Sequence, residues 1–163
     1  MQAVLEERFT TEEEVDAFLR REGLVFPNDY RAFVLEINGG VLDWSTKVTL
    51  HFRGPRGRQR EIVVESFWAF VAGEKYSAQP WCWMVNNSYR PRFLFEIANA
   101  GPSRKICMGL SPTLAGKIFL FDDQKTLVTP STTEEEIFQD RGIIHIANSF
   151  TEFVDSLRRV KVD

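Results

Sequence analysis

Apolar residues near the start of the chain recur at the spacing of one helix face. Val15 and Phe18 lie three residues apart, and Thr11 with Glu14 forms a capping-box pattern just before them. A capping box satisfies two free N–H groups at a helix start, and a glycine often ends a helix in the left-handed conformation. The pattern therefore predicts a first helix that ends at Gly23.

A second helical pattern begins at Pro27, whose fixed φ suits the first turn of a helix. Tyr30, Phe33 and Ile37 then recur at helical spacing. The run Asn38-Gly39-Gly40 interrupts this spacing with residues that favour turns and helix ends. We predict a second helix between these limits.

Two more capping-box patterns mark the last part of the chain. Thr133 with Glu136 predicts a short helix over Thr133–Gln139, and Ser149 with Glu152 predicts the start of the last helix. The last helix is expected to bury one stripe of apolar residues, namely Phe150, Phe153, Val154 and Leu157.

Between the second helix and the short helix, the period of the apolar residues changes to two. Val48, Leu50 and Phe52 alternate with polar residues, which predicts a half-buried strand, and Glu61 to Phe70 could hold its returning partner. Residues 74–92 show no clear period and are not assigned. The further predicted strands are Phe93–Ala98, Lys105–Leu110, Lys117–Asp122 and Ile143–Ile146.

The order of these elements predicts an α+β fold. We expect a single antiparallel sheet of about five or six strands, flanked by helices. No linker or repeat divides the chain, so residues 1–163 are predicted to form a single domain. The expected core residues are Tyr30, Phe33, Ile37, Ile97, Ile106, Ile118, Phe150 and Phe153.

Composition and charge narrow the class of protein. With 44% hydrophobic residues and a net charge of −3, the sequence is typical of a soluble globular domain and not of a disordered chain. The longest apolar run, Phe67–Ala72, is much shorter than the roughly 20 residues that a membrane span needs. The first residues are acidic where a signal peptide has a basic flank. We therefore expect a cytoplasmic protein that has no membrane partner.

The sequence offers few residues for metal or cofactor chemistry. Its cysteines are Cys82 and Cys107, and its histidines are His51 and His145. None of these forms the close pairs from which a structural zinc site is built, and no cofactor is predicted. A Cys–His or Ser–His dyad that assembles only in the folded chain stays open as an alternative.

Two adjacent carboxylates are the best candidates for a metal-dependent enzyme. Asp122 and Asp123 end a predicted strand and could bind a metal with help from Glu96. Neighbouring residues on a strand point to opposite faces, so a solvated turn is the favoured interpretation. We therefore predict neither an enzyme nor a metal site.

A short basic cluster lies at the turn of the predicted hairpin and consists of Arg53, Arg56, Arg58 and Arg60. Basic clusters can bind nucleic acid, but this one is short and the chain as a whole is acidic. A solvated hairpin end is the favoured interpretation, and direct binding of nucleic acid is not expected.

Four blocks of sequence resemble a known superfamily. Phe26 to Gly40, with the sequence FPNDYRAFVLEINGG, is similar to the second-helix signature of the SUKH superfamily. This superfamily takes in yeast cell-wall assembly regulators and many bacterial toxin-immunity proteins. The other blocks follow in the same order as in the family: residues 95–101 with 106–110 resemble its central hairpin, 116–123 its next strand, and 147–154 its closing helix.

The resemblance implies a domain that binds a protein and does not transform a small molecule. In the bacterial members the implied partner is a cognate toxin, often a nuclease, which the protein neutralises. The yeast branch implies an alternative, an adaptor or regulatory protein-interaction module of the same fold. The family motifs carry no catalytic residues.

An acidic surface is the candidate binding site for such a partner. A nuclease holds phosphate with cationic groups, so acidic side chains on the immunity protein would speed association. Interface centres also favour large aromatic side chains. Chain order suggests that the two acidic groups could share an edge of the molecule. The candidate residues are Glu134, Glu135, Glu136 and Asp140, Asp122 with Asp123, and the aromatic residues Trp81 and Trp83.

Overall fold

A computed structural model of the chain describes residues 10–41, 46–54, 57–68, 70, 91, 93–140 and 142–161. These residues form four helices and nine strands. The helices are α1 (Glu12–Glu22), α2 (Asn28–Glu36), α3 (Glu134–Gln139) and α4 (Phe150–Ser156). The strands are β1 (Gly40–Val41), β2 (Thr46–Arg53), β3 (Gln59–Val64), β4 (Ser66–Phe67), β5 (Leu94–Asn99), β6 (Arg104–Gly109), β7 (Ile118–Asp122), β8 (Ile143–Ala147) and β9 (Leu157–Lys161).

The first two helices begin and end close to the predicted residues. At the start of α1, the Thr11 hydroxyl accepts from the Glu14 N–H at 3.2 Å, and the Glu14 carboxylate accepts from the Thr11 N–H at 2.9 Å. Gly23 follows α1 with a φ of 65°, in the left-handed region that glycine adopts without strain. The second helix begins just after Pro27 and ends one residue before Ile37, which is only partly buried.

The strands form two antiparallel sheets, so the prediction of a single sheet is wrong. The main sheet has six strands in the order β1-β4-β5-β6-β7-β8, and the small sheet has the order β3-β2-β9. The inner face of the β2–β3 hairpin carries Leu50, Phe52 and Ile62, which share one buried cluster with the main sheet. The hairpin therefore packs its apolar face against that core and does not extend the main sheet through hydrogen bonds.

The last helix is shorter than predicted, and this shortening completes the small sheet. Phe150 and Phe153 are buried as expected, but α4 ends at Ser156. Leu157 is extended, with a ψ of 138°, and lies opposite Leu50 in the pairing of β9 with β2. The predicted helical stripe thus includes one residue that belongs to a strand.

Two hydrophobic clusters cover the two faces of the main sheet. The inner core joins α1, α2, α4 and the small sheet to one face, and seven of the eight predicted core residues are buried in it. The rings of Phe26 and Phe95 meet edge-on at 4.9 Å, and those of Phe33 and Phe150 meet at 4.9 Å. The outer core, on the other face, consists of Leu94, Cys107, Leu114, Phe119, Phe121, Ile137 and Ile143.

Candidate functional site

Helix α3 places one aromatic side chain on the surface. Ile137 is buried in the outer core, whereas Phe138 keeps 59% of its surface exposed. Successive residues on a helix point about 100° apart, so both side chains cannot face the sheet from one short helix. The Phe138 ring instead meets the buried Phe119 ring edge-on at 6.1 Å.

The carboxylates of α3 have two different roles. Glu136 accepts from the Thr133 N–H at 2.7 Å and from the Thr133 hydroxyl at 3.1 Å, which completes the predicted capping box. Glu135 is exposed and Glu134 is partly exposed. Residues three and four apart on a helix lie on the same side, so Glu134 and Glu135 both neighbour Phe138. We call Glu134, Glu135 and Phe138 the α3 surface.

Asp140 holds a loop and is not a free surface charge. One of its carboxylate oxygens, Oδ2, accepts from the Thr126 hydroxyl and from the Leu127 N–H, both at 2.9 Å. The other, Oδ1, accepts from the Gly142 N–H at 2.7 Å. The carboxylate thus joins the loop after β7 to the turn between α3 and β8.

Asp122 lies on the opposite face of the main sheet from α3. Its carboxylate is 3.2 Å from Lys125 Nζ and 3.7 Å from Arg104 Nε, and only 9% of the residue is exposed. Leu120, two residues earlier, belongs to the inner core, whereas α3 packs on the outer core. The structure therefore does not bring Asp122 and the α3 carboxylates together on one face. Asp123 is exposed at the start of the following turn.

The predicted metal alternative has little geometric support. No group of three or more His, Cys, Asp or Glu side chains in the described residues could hold a metal ion. Asp122 is neutralised by two cations, and Cys107 is fully buried in the outer core. His51 lies 3.2 Å from Glu61, and the His145 ring packs 5.5 Å from that of Phe119. These two contacts join the histidines to a glutamate and a phenylalanine, and neither of them forms the Cys–His or Ser–His dyad that the sequence left open.

The aromatic residue that the structure places beside the α3 carboxylates is not one of the two that were predicted. Trp81 and Trp83 lie outside the described residues. Phe138 was missed by sequence reasoning, although a signal for it exists. Ile137 and Phe138 are adjacent in a helix of 6 residues. Only one of two adjacent helical residues can lie in the buried stripe, so the other is expected on the surface.

The family model of the SMI1 / KNR4 family (SUKH-1) matches residues 10–156. The chain belongs to this family. The resemblance seen in the sequence is thereby confirmed, and the matched region of this SUKH-1 protein includes the α3 surface. Comparison with curated proteins and with solved structures found no match. None of the described helices is long and apolar enough to cross a membrane.

Proposed function

We propose that this SUKH-1 protein is a cytoplasmic immunity protein that binds and neutralises a cognate toxin of the nuclease type. The observation that carries the proposal is the family match over residues 10–156, because the family's implied role is to bind another protein. The protein acts by occupying the toxin and not by a reaction of its own. Its described residues contain no cluster of metal ligands that would support a metal-dependent reaction.

The negative charge of the α3 surface supports this proposal. A nuclease collects cationic side chains around its phosphate site, so two carboxylates on a short helix give it a complementary charge. Phe138 adds an exposed aromatic ring next to them, and such rings often supply much of the binding energy at an interface centre. Glu134, Glu135 and Phe138 are therefore our proposed contacts. Asp123, Trp81 and Trp83 stay candidates for the edge of the same interface.

Asp122, Asp140 and Glu136 take a different place in the proposal. Each carboxylate already binds groups within the chain, and releasing it would cost those interactions. We therefore propose that Glu136 and Asp140 stabilise α3 and the loop beside it, that Asp122 stabilises the turn after β7, and that none of the three contacts the toxin.

The experiment first searches the genes next to that of this protein for a nuclease-type toxin, and then tests neutralisation with the toxin found. The purified protein is added to the toxin at equal concentration and the cleavage of DNA and RNA is measured. We expect a stable complex and loss of cleavage. A complex that leaves cleavage unchanged would support the adaptor alternative, and the absence of any complex would contradict the pairing with this toxin.

A further inference from the structure

A cleft separates the β2–β3 hairpin from the outermost strand of the main sheet. Two adjoining hollows, of about 410 and 390 Å³, share Phe52 as a lining residue. Gly142 and Ile144 line the first hollow, and His145 and Ile146 line the second. The cleft therefore follows β8 along its length.

Strand β8 has an open edge beside this cleft. It is the last strand of the main sheet and pairs with β7 on one side. Within the described ranges, no other strand pairs with β8. The outward N–H and C=O groups of such a strand are a template on which another extended chain can form hydrogen bonds.

The cleft is cationic, although the chain as a whole is acidic. Its lining includes Arg53, Arg60, Arg104 and Lys125, but only two carboxylates. Asp122 is paired with Arg104 and Lys125, and the Glu61 carboxylate lies 3.2 Å from His51 Nε2. Among the described residues, Arg53 and Arg60 form no ion pair. These two guanidinium groups are therefore available to an anionic ligand.

The hairpin geometry directs Arg60 into the cleft. Arg60 lies directly opposite Phe52 in the β2–β3 pairing, so both side chains are on the same face of the hairpin. The Arg60 side chain crosses Gly54, where a Cβ atom would lie only 2.8 Å from Arg60 Nε. The glycine leaves the space in which this side chain lies.

We propose that this cleft binds an extended acidic segment of a protein partner, which adds to β8 as a further strand. Its backbone would pair with the open edge of β8, and its carboxylates would meet Arg53 and Arg60. Alternate apolar side chains of the segment would pack on Phe52 and Ile144. The site rests on the proposed protein-binding function and extends it to a second surface, on the other face of the main sheet from α3.

A peptide is favoured over nucleic acid by two features of the cleft. Its floor is apolar, with Phe52, Ile62, Leu120 and Ile144, and its side is the edge of β8 with which no described strand pairs. A phosphate backbone would meet the cations but would use neither feature. An extended peptide with alternating acidic and apolar residues uses both.

The probe for this proposal is a fluorescein-labelled peptide that alternates Asp with Val and Ile. Its binding to the full chain is measured by fluorescence anisotropy at low salt. We expect it to bind at least about tenfold more tightly than the same peptide with Lys in place of Asp, because Lys reverses the charge that faces Arg53 and Arg60. A peptide that is N-methylated at the amides facing β8 should lose a similar factor, because it cannot donate to the strand edge.

The protein side of the test uses the double variant R53Q/R60Q, with R20Q on α1 as a control. Arg20 is exposed in the last turn of α1, away from the cleft. We expect R53Q/R60Q to weaken peptide binding by about tenfold and R20Q to leave it unchanged. In the wild-type protein, the amide NMR signals of Gly142–Ile146 should shift on addition of the peptide, whatever the variant does to folding.

Several results would overturn this site. Equal binding of the acidic and lysine peptides, or no binding at about 1 mM, would contradict the charge complementarity. Amide shifts that avoid β8 would contradict strand addition. Tighter binding of a thymidine oligonucleotide of the same net charge would assign the cleft to nucleic acid instead. No toxin is used in this experiment, so its failure would leave the test of the α3 surface and of neutralisation unaffected.

Discussion

Ser149 is the N-cap residue of α4, and its hydroxyl accepts from the Glu152 N–H at 3.0 Å, as the sequence predicted. In a capping box, the Glu152 carboxylate would accept from the Ser149 N–H. Here it accepts from the N–H of the preceding residue, Asn148, at 2.8 Å. We expect S149A to lower the free energy of unfolding by about 0.5–2 kcal/mol, since one helix N–H loses its partner. Urea denaturation followed by circular dichroism measures this change.

The matched control is S149T, which keeps a hydroxyl at the same position. It should restore most of the stability that S149A loses. An unchanged denaturation midpoint in S149A would mean that this hydrogen bond contributes nothing to the stability of the helix start.

Two glutamates make the stability of the native state depend on pH in the acid range. The pKa of Glu14 is lowered from 4.5, mainly by the hydrogen bond from the Thr11 N–H. The pKa of Glu152 is lowered from the same value, mainly by the hydrogen bond from the Asn148 N–H. A lowered folded-state pKa means that the ionised form is bound more strongly in the native state. This stabilisation is present above pH 4.5 and is lost as the pH falls through the folded-state values.

We therefore expect E14Q/E152Q to be less stable than the wild type at pH 7. The difference should shrink below pH 4.5 and disappear once both carboxyl groups are protonated. Urea titrations at a series of pH values measure it. The control is E13Q, also in the first turn of α1, whose carboxylate accepts no hydrogen bond from the described residues. A constant difference between E14Q/E152Q and the wild type across this pH range would contradict the assignment.

At the scale of elements, the loop between β7 and α3 depends on Asp140. The carboxylate of this residue accepts three hydrogen bonds, from Thr126, Leu127 and Gly142. Hydrogen bonds to a charged group are stronger than neutral ones, and the bonds from Thr126 and Gly142 are partly buried, so their donors lose a partner when the acceptor is removed. We expect D140A to cost about 1–3 kcal/mol of stability and to speed hydrogen exchange at the Leu127 amide.

The variant D140N removes the charge of Asp140 and keeps the shape of its side chain. Its remaining carbonyl oxygen can accept from one side of the loop, so its stability should lie between those of the wild type and D140A. Slow exchange at the Leu127 amide in D140A would mean that the loop is held by other contacts.

At the scale of the whole molecule, charge and aromatic contact should affect different rates of toxin binding. We expect E134Q/E135Q to slow association about threefold to tenfold at low salt, with the difference fading as salt screens the charges. We expect F138A to speed dissociation about tenfold, because it removes packed surface and leaves the charges in place. Surface plasmon resonance with the immobilised toxin measures both rates.

The control for these rates is E13Q/E36Q, which removes the same charge from α1 and α2. Those helices pack on the inner core, away from α3. Glu136 is left unchanged because it caps α3, so its replacement would mix a change of charge with a change of helix stability. If E134Q/E135Q associates at the wild-type rate at low salt, the α3 surface does not face the toxin.

Features that depend on residues three or four positions apart follow from the sequence alone. The capping boxes at Thr11 and Thr133 and the hydroxyl cap at Ser149 all form as predicted. The apolar patterns predicted β2, β5, β6, β7 and β8 and most of the core, because a side chain's face follows from its position within one element. The motif blocks gave the family, since their order along the chain is itself a sequence property.

The pairing of distant segments, and the set of charges that remain on the surface, depend on contacts that form only in the folded chain. Leu157 continues a helical pattern locally but lies opposite Leu50, which is far away along the chain, so its strand could not be inferred from its neighbours. Asp140 and Glu135 are both acids of the same region, yet Asp140 is bound by a loop that only folding brings near it. The division into two sheets, the exposure of Phe138 and the cleft beside β8 all arise from such long-range packing, which local sequence patterns do not encode.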